Sequence, residues 1–229
     1  MHFSLITPTP GQERDAAHEW TRNAYEEHQW LWQFLPAPPG TARHFVFRRR
    51  DVDGMPRFYV VSEREPVAPS AHWQVQSRAY APRLAAGDRL AFELRANPVV
   101  SIKDDKGKSA RHDVVMQEKT RLLKERRLPR WAEWKTADRP SLPELVRQTC
   151  SQWLQPRCER LGITVDGDGL NVEGYEQHRG KRGELRFSTV DFSGSLRVVD
   201  PAALRTALFS GVGHAKAFGC GLLLIRPIG

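Results

Sequence analysis

Prolines and glycines constrain this chain more than any other feature, because they cut its apolar residues into short runs that suit only alternating strands and helices. His2–Thr7 alternates like a strand and is stopped by Pro8 and Pro10. From Glu13 to Leu35 the apolar positions Ala17, Trp20, Ala24, Leu31 and Leu35 keep the spacing of one helical face, and Pro36, Pro38, Pro39 and Gly40 end that helix. His44–Arg48 and Arg57–Ser62 flank Asp51-Val52-Asp53-Gly54, which predicts a hairpin. Further strands are expected at Trp73–Tyr80 and at Arg89–Ala96, the latter closed by Asn97-Pro98.

The pattern then repeats. Ser141-Leu142-Pro143-Glu144 is a capping box with proline in the first turn, opening a helix that runs to Leu161 and stops at Gly162. Strands at 163–165, 170–175, 185–192 and 194–199 follow. Asp200-Pro201 opens a helix over 202–209, closed by Gly211, and a last strand covers 221–226. This order predicts an α+β protein of two tandem ferredoxin-like (RRM-like) domains, with no close sequence repeat between them. The boundaries read as 1–98 for the first domain, 99–138 for a basic linker region with a short helix at Met116–Leu128, and 139–229 for the second domain.

Charge narrows the partners. Thirty-five Lys and Arg against 27 Asp and Glu give a net charge of +8 and a pI near 9.7, which draws the chain to polyanions. Soluble proteins that bind none also reach such a charge. No apolar run of 18 residues could span a membrane, and the N-terminus lacks the pattern of a signal peptide. Cys150, Cys158 and Cys220, odd in number and without CxxC spacing, fit a reducing cytoplasm and the role of small buried hydrophobes. Neither a HExxH nor a Cys/His cluster, nor a nucleotide or serine-hydrolase motif, is present, so neither metal nor cofactor is expected.

Three groups of residues could carry chemistry. Tyr25 and His28 are three apart on the first helix and so share a side of it. A histidine titrates near neutrality and can serve as base or acid, but His28 also continues the Ala24–Leu31–Leu35 stripe, and periodicity alone favours a core-edge position for it. Gly211, Gly213, Gly219 and Gly221 form a glycine-rich run around Lys216, suited either to close phosphate approach or to tight packing. Arg179, Lys181 and Arg182 sit together in a turn between strands, suited to a nucleic-acid backbone or to solvent. Arg157 and Arg160 lie on the second domain's helix, where ion pairing is their ordinary use. A hydrolase lacking a metal and a serine nucleophile needs a substrate that carries its own, and RNA does, in its 2′-hydroxyl.

Three segments in order resemble the CasE family of CRISPR endoribonucleases, within the RAMP superfamily. They are Tyr25-Glu-Glu-His28-Gln-Trp-Leu31-Trp32-Gln-Phe34, Leu94-Arg95-Ala96-Asn97-Pro98-Val99, and the glycine-rich run from Gly211 to Leu222. The resemblance implies an enzyme of type I-E CRISPR systems that binds the repeat hairpins of the precursor transcript. It implies a single cut per repeat on the 3′ side of the stem, without metal, leaving a 2′,3′-cyclic phosphate and a 5′-hydroxyl. It also implies that the enzyme stays on the product beside other Cascade subunits. In that family's pattern His28 would be catalytic and Tyr25 would assist. Lys216, the four glycines, Arg111, Arg157, Arg160 and the turn at Arg179, Lys181 and Arg182 would meet RNA, although the turn and the Lys108–His112 stretch match no fixed motif. The main alternative is a non-catalytic RAMP-type scaffold subunit, which would not need the Tyr25/His28 pair. An unrelated single-stranded RNA binder is disfavoured by the lack of an RNP1 pattern.

Overall fold

The structure is a computed structural model and describes residues 1–20, 24–103, 107–179 and 186–228; in the second helix the described side chains begin at Glu26. The first unit comprises β1 (His2–Pro8), α1 (Glu13–Glu19), α2 (Ala24–Leu31), β2 (Phe45–Val52), β3 (Met55–Ser62) and β4 (Trp73–Ala79). Its antiparallel sheet has the order β2-β3-β1-β4, the ferredoxin-like order, although residues 63–72 join β3 to β4 without a helix.

The single helix expected over Glu13–Leu35 is instead two helices followed by a 3₁₀ turn, Trp32–Phe34. Trp20 ends α1 in an extended conformation while burying its ring in the core. An unbroken helix of that length would reach about 34 Å, against about 24 Å for the strands it covers. Breaking it keeps Ala16, Trp20, Trp30, Leu31, Phe34 and Leu35 all on the sheet, against Ile6, Phe45, Phe47, Phe58, Val60 and Trp73.

The second sheet has the order β11-β5-β10-β8, with β9 also paired to β10. It is built from β5 (Arg89–Ala96), β8 (Ile163–Val165), β9 (Asn171–Arg179), β10 (Arg186–Val198) and β11 (Leu223–Pro227). β5 therefore does not belong with the first sheet, where a boundary at residue 98 would put it. It lies between β10 and β11, with Leu94 opposite Phe192 and Leu223, and the sheets divide between β4 and β5. With β5 as its first strand, the second unit repeats the ferredoxin-like order.

The described part of the basic region expected as a linker forms regular elements. β6 (Val99–Lys103) and β7 (Ser109–Asp113) form a hairpin, and α3 (Val114–Glu125) starts two residues before the expected helix and ends three before it. Its N-cap is Asp113, whose carboxylate accepts from the Met116 amide. α4 (Leu142–Arg160) carries the predicted capping box of Ser141 and Glu144. The expected strands at 185–192 and 194–199 are one strand, β10, and α5 (Pro201–Ser210) is capped by Asp200. α4 and α5 cover one face of the sheet through Leu145, Val146, Trp153, Leu204 and Leu208. Cys150, Cys158 and Cys220 are buried and unpaired, and burial pushes the Cys150 and Cys220 thiols up to about 12. Among the described residues no helix is long and apolar enough to cross a membrane.

β2 holds the two units together, because its side chains alternate between faces. Phe45 and Phe47 point into the first core, whereas Val46 packs with Val61 and Leu222 on the opposite face. The alternation continues into the charges. Arg49 meets Glu27 of α2 at 3.0 Å, while Arg48 and Arg50 reach Asp191 and Glu93 of the second sheet.

Candidate RNA-processing site

His28 sits on α2, which packs against the 3₁₀ turn Lys216–Phe218 in the glycine-rich run. Its ring is stacked on Phe45 at 5.8 Å and meets the edge of Trp32 at 6.3 Å. Its buried Nε2 has no hydrogen-bond partner among the described residues. That observation argues against a satisfied core histidine, since buried polar atoms are nearly always paired. Burial first, and the charge of Arg43 second, hold the imidazole below its ordinary pKa of 6.5, so it is neutral and able to accept a proton at pH 7. Arg43 also depresses Lys216 after the larger effect of burial, which sets His28, Arg43 and Lys216 in one electrostatic neighbourhood. Arg43 was not apparent in the sequence, where it is one cation ahead of a strand. Tyr25 shares the helix with His28, but its side chain lies outside the described part.

The glycine-rich run is a closed loop. The Val212 amide donates to the Gly221 carbonyl at 2.8 Å, and the Gly221 amide donates to the Arg95 carbonyl at 2.7 Å. At Gly221, with φ +93°, an added Cβ would lie 2.6 Å from the Val212 carbonyl oxygen; at Gly211 it would lie 2.9 Å from Val46. Gly221→Ala is therefore expected to destabilise the protein by about 1–3 kcal/mol, read as a lower urea midpoint. Gly219 rests against Phe47 and Gly213 against Trp153. The Lys216 ammonium donates to the Ser210 carbonyl at 2.7 Å, which uses one of its three donors.

The Arg-Ala-Asn-Pro segment has a structural role. Arg95 grips Asp191 with two hydrogen bonds of 3.0 and 2.7 Å. The Asn97 amide donates to the Ser188 carbonyl at 2.7 Å, and the Pro98 carbonyl accepts from Val114. This fixes β5, β10 and α3 beside the loop. Asp113 adds a second tie, accepting from Tyr175 at 3.0 Å and from Ser188.

The predicted cations gather around this loop in two groups. Arg111 and Arg179 line a pocket of about 460 Å³ together with His214 and Ala215 of the loop. Arg157 and Arg160 line another, of about 420 Å³, together with Gly211 and Gly213. His214 borders both. Burial, then Arg111, Arg157 and Lys216, lower its pKa, so three of the predicted cations converge on it. Arg157 lies 3.9 Å over the Trp153 ring and donates to the Trp153 carbonyl. Ala215 holds a left-handed conformation at φ 57°, a local strain of the kind that collects at functional loops. Lys181 and Arg182 lie outside the described residues. Arg186, beside Arg111 and Arg179 in the first of these pockets, was not picked out from the sequence.

A family model described as CRISPR associated protein matches residues 1–227. The chain belongs to that family. Its relatives include the CRISPR system Cascade subunit CasE of Escherichia coli strain K12, 28% identical over 215 residues, 93% of this chain and 96% of that one. Another is the CRISPR-associated endoribonuclease Cse3 of Thermus thermophilus, 27% identical over 236 residues, covering 93% of this chain and 94% of the relative. A solved structure of Thermus thermophilus Cse3, bound to an RNA representing a pre-cleavage complex, superposes with a TM-score of 0.68 at 24% identity, covering 99% of both chains. That likeness bears on the fold, and it agrees with the tandem ferredoxin-like arrangement.

Proposed function

We propose that this family member is an endoribonuclease that binds the repeat hairpins of precursor CRISPR RNA. It cuts on the 3′ side of the stem and remains on the product as a Cascade subunit. The observation that carries the reading is the His28 ring, whose buried Nε2 has no partner among the described residues, on a helix packed against a basic glycine-rich loop. His28 takes the proton of the 2′-hydroxyl. The resulting 2′-oxygen attacks the adjacent phosphorus and expels the 5′-oxygen, which takes a proton from water, and the His28 imidazolium returns its proton to the solvent. The ends are a 2′,3′-cyclic phosphate and a 5′-hydroxyl, and neither metal nor cofactor takes part. Arg43, whose charge acts on His28, and Lys216, on the turn that packs against the His28 helix, stabilise charge developing on the phosphate. Tyr25 assists at the cut.

The RNA-facing residues are Arg111, Arg157, Arg160, Arg179, Lys181, Arg182 and Lys216, with the four glycines of the loop. A paired RNA stem offers phosphates and 2′-hydroxyls rather than base edges, which suits such a cationic surface. Cleavage of a labelled repeat hairpin in EDTA tests the activity. A single cut beside the stem is expected, with none when the nucleotide before the scissile bond carries deoxyribose; cutting of that analogue at the same bond would sink the 2′-hydroxyl mechanism. Arg111→Ala and Arg179→Ala are each expected to weaken hairpin binding and to reduce the slope of log Kd against log salt by about 1. Unchanged slopes would remove those arginines from the phosphate path.

A further inference from the structure

Three aromatic rings from separate parts of the chain form one column beside the loop. His178 of β9 stacks on Phe187 of β10 at 4.6 Å and 20°, and Phe187 stacks on Phe218 of the 3₁₀ turn at 4.8 Å and 20°. His178 and Phe187 are direct cross-strand partners, which explains the first contact. The His178 ring is held by a hydrogen bond between Nε2 and the Thr189 hydroxyl at 2.9 Å. None of the three rings is fully buried. The column is not core packing; it is a wall with a pocket on either side.

Charge decides which side can take a polyanion. The larger pocket, about 790 Å³, is lined by four arginines and six carboxylates. Its Arg48, Arg49, Arg50 and Arg95 are already engaged by Asp191, Glu27, Asp51 and Glu93. The smaller pocket, about 460 Å³, is lined by Arg111, Arg179 and Arg186 against one carboxylate, Asp113, which is occupied by Tyr175 and Ser188. Its volume falls within the usual range for small-ligand sites, about 300–1,000 Å³. That admits a single nucleotide and excludes a stacked duplex. The Gln177 amide on its wall can donate and accept, as reading a base edge requires.

We propose that this smaller pocket receives one unpaired nucleotide of the bound RNA, adjacent to the stem. Its base lies against the His178–Phe187–Phe218 column and its phosphate meets Arg111, Arg179 and Arg186. The subsite deepens the ribonuclease reading above and rests on it. Because Phe218 and Lys216 share one 3₁₀ turn, and that turn packs on the helix of His28, a nucleotide seated here also fixes the strand that enters the cleavage site. Both faces of Phe187 are covered by His178 and Phe218, so the base lies against the ring edges, an edge-to-face contact open to any base; the column supplies affinity and Gln177 supplies discrimination.

The test uses two repeat-type hairpins, one with blunt ends and one with unpaired nucleotides on both sides, carrying 2-aminopurine at each unpaired position in turn. With the wild-type chain, fluorescence is expected to be quenched on binding at one unpaired position. Phe187→Leu should abolish that quench and weaken the flanked hairpin roughly tenfold, more than it weakens the blunt one. Phe187→Tyr, which keeps the ring, should retain both signals. Phe218→Leu removes the same column from the other element and should repeat the Phe187→Leu result. Hairpin binding with no position-specific quench, or a quench that survives both leucine variants, would overturn the subsite alone. Failure of the wild-type chain to bind either hairpin would overturn the ribonuclease reading and the subsite with it.

Discussion

His28→Ala is expected to lower hairpin cleavage by about 10²–10⁴-fold while the RNA remains bound. The ring is half-buried and stacks on Phe45, but its buried Nε2 bonds to nothing among the described residues, so removing it costs no hydrogen bond there. The cations of the loop and of β7, β9 and α4 stay in place, which keeps affinity. The rate should also depend on pH in a defined sense. A histidine acting as base works in its neutral form, so the rate rises with pH and levels off above its pKa. Burial, and secondarily the Arg43 charge, hold that pKa below 6.5, so the midpoint of the rise lies below the ordinary histidine value and the level region lies above that midpoint. Arg43→Ala should move the midpoint upward, because a neighbouring charge that opposes protonation is gone. Cleavage by His28→Ala at the wild-type rate would return His28 to the packing role its helical spacing also allowed.

Local chemistry was legible where its cause was local. The Ser141/Glu144 box, the Asp200 cap and the turn before Met55 each depend on a few neighbouring residues, and each was visible as a sequence pattern. Sheet membership was not. Leu90, Phe92 and Leu94 announce a strand, but only the pairing of β5 with β10 and β11 assigns it to the second sheet, and those partners are 94 or more residues away. The same limit hid the aromatic column, whose rings come from β9, β10 and the loop. His28 lay between: spacing allowed two roles, the Tyr-Glu-Glu-His resemblance pointed to one, and the unpartnered nitrogen now argues for that one physically. Arg48 carried no signal in the sequence beyond the end of a strand. In a strand it reads as a surface position, yet it is only 6% exposed, because the face of β2 that would meet solvent in a lone domain is covered by the second unit.

That buried arginine sets the second large effect. Arg48 Nη2 meets Asp191 Oδ1 at 3.2 Å, and Arg48 Nη1 lies 3.5 Å from Glu93. Desolvation lowers the Arg48 pKa to about 10, with Asp191 opposing the fall. Asp191 also holds Arg95, so one carboxylate joins β2 of the first sheet to β5 and β10 of the second. Asp191→Ala leaves Arg48 charged between the sheets without its nearest acid. Stranding one partner of a buried pair costs about 3–5 kcal/mol, which urea denaturation would read as a large fall in midpoint. Adding Arg48→Met should recover much of the loss, because the cost lies in the stranded charge rather than in the missing contact. The clamp joins the unit that carries His28 to the one that carries the proposed RNA-facing cations, so Asp191→Ala is expected to reduce cleavage more than hairpin affinity at temperatures where it remains folded. A loss below about 1 kcal/mol, the range of exposed pairs, would mean that water reaches Arg48 and that the sheets are held together by Val46, Val61 and Leu222 instead.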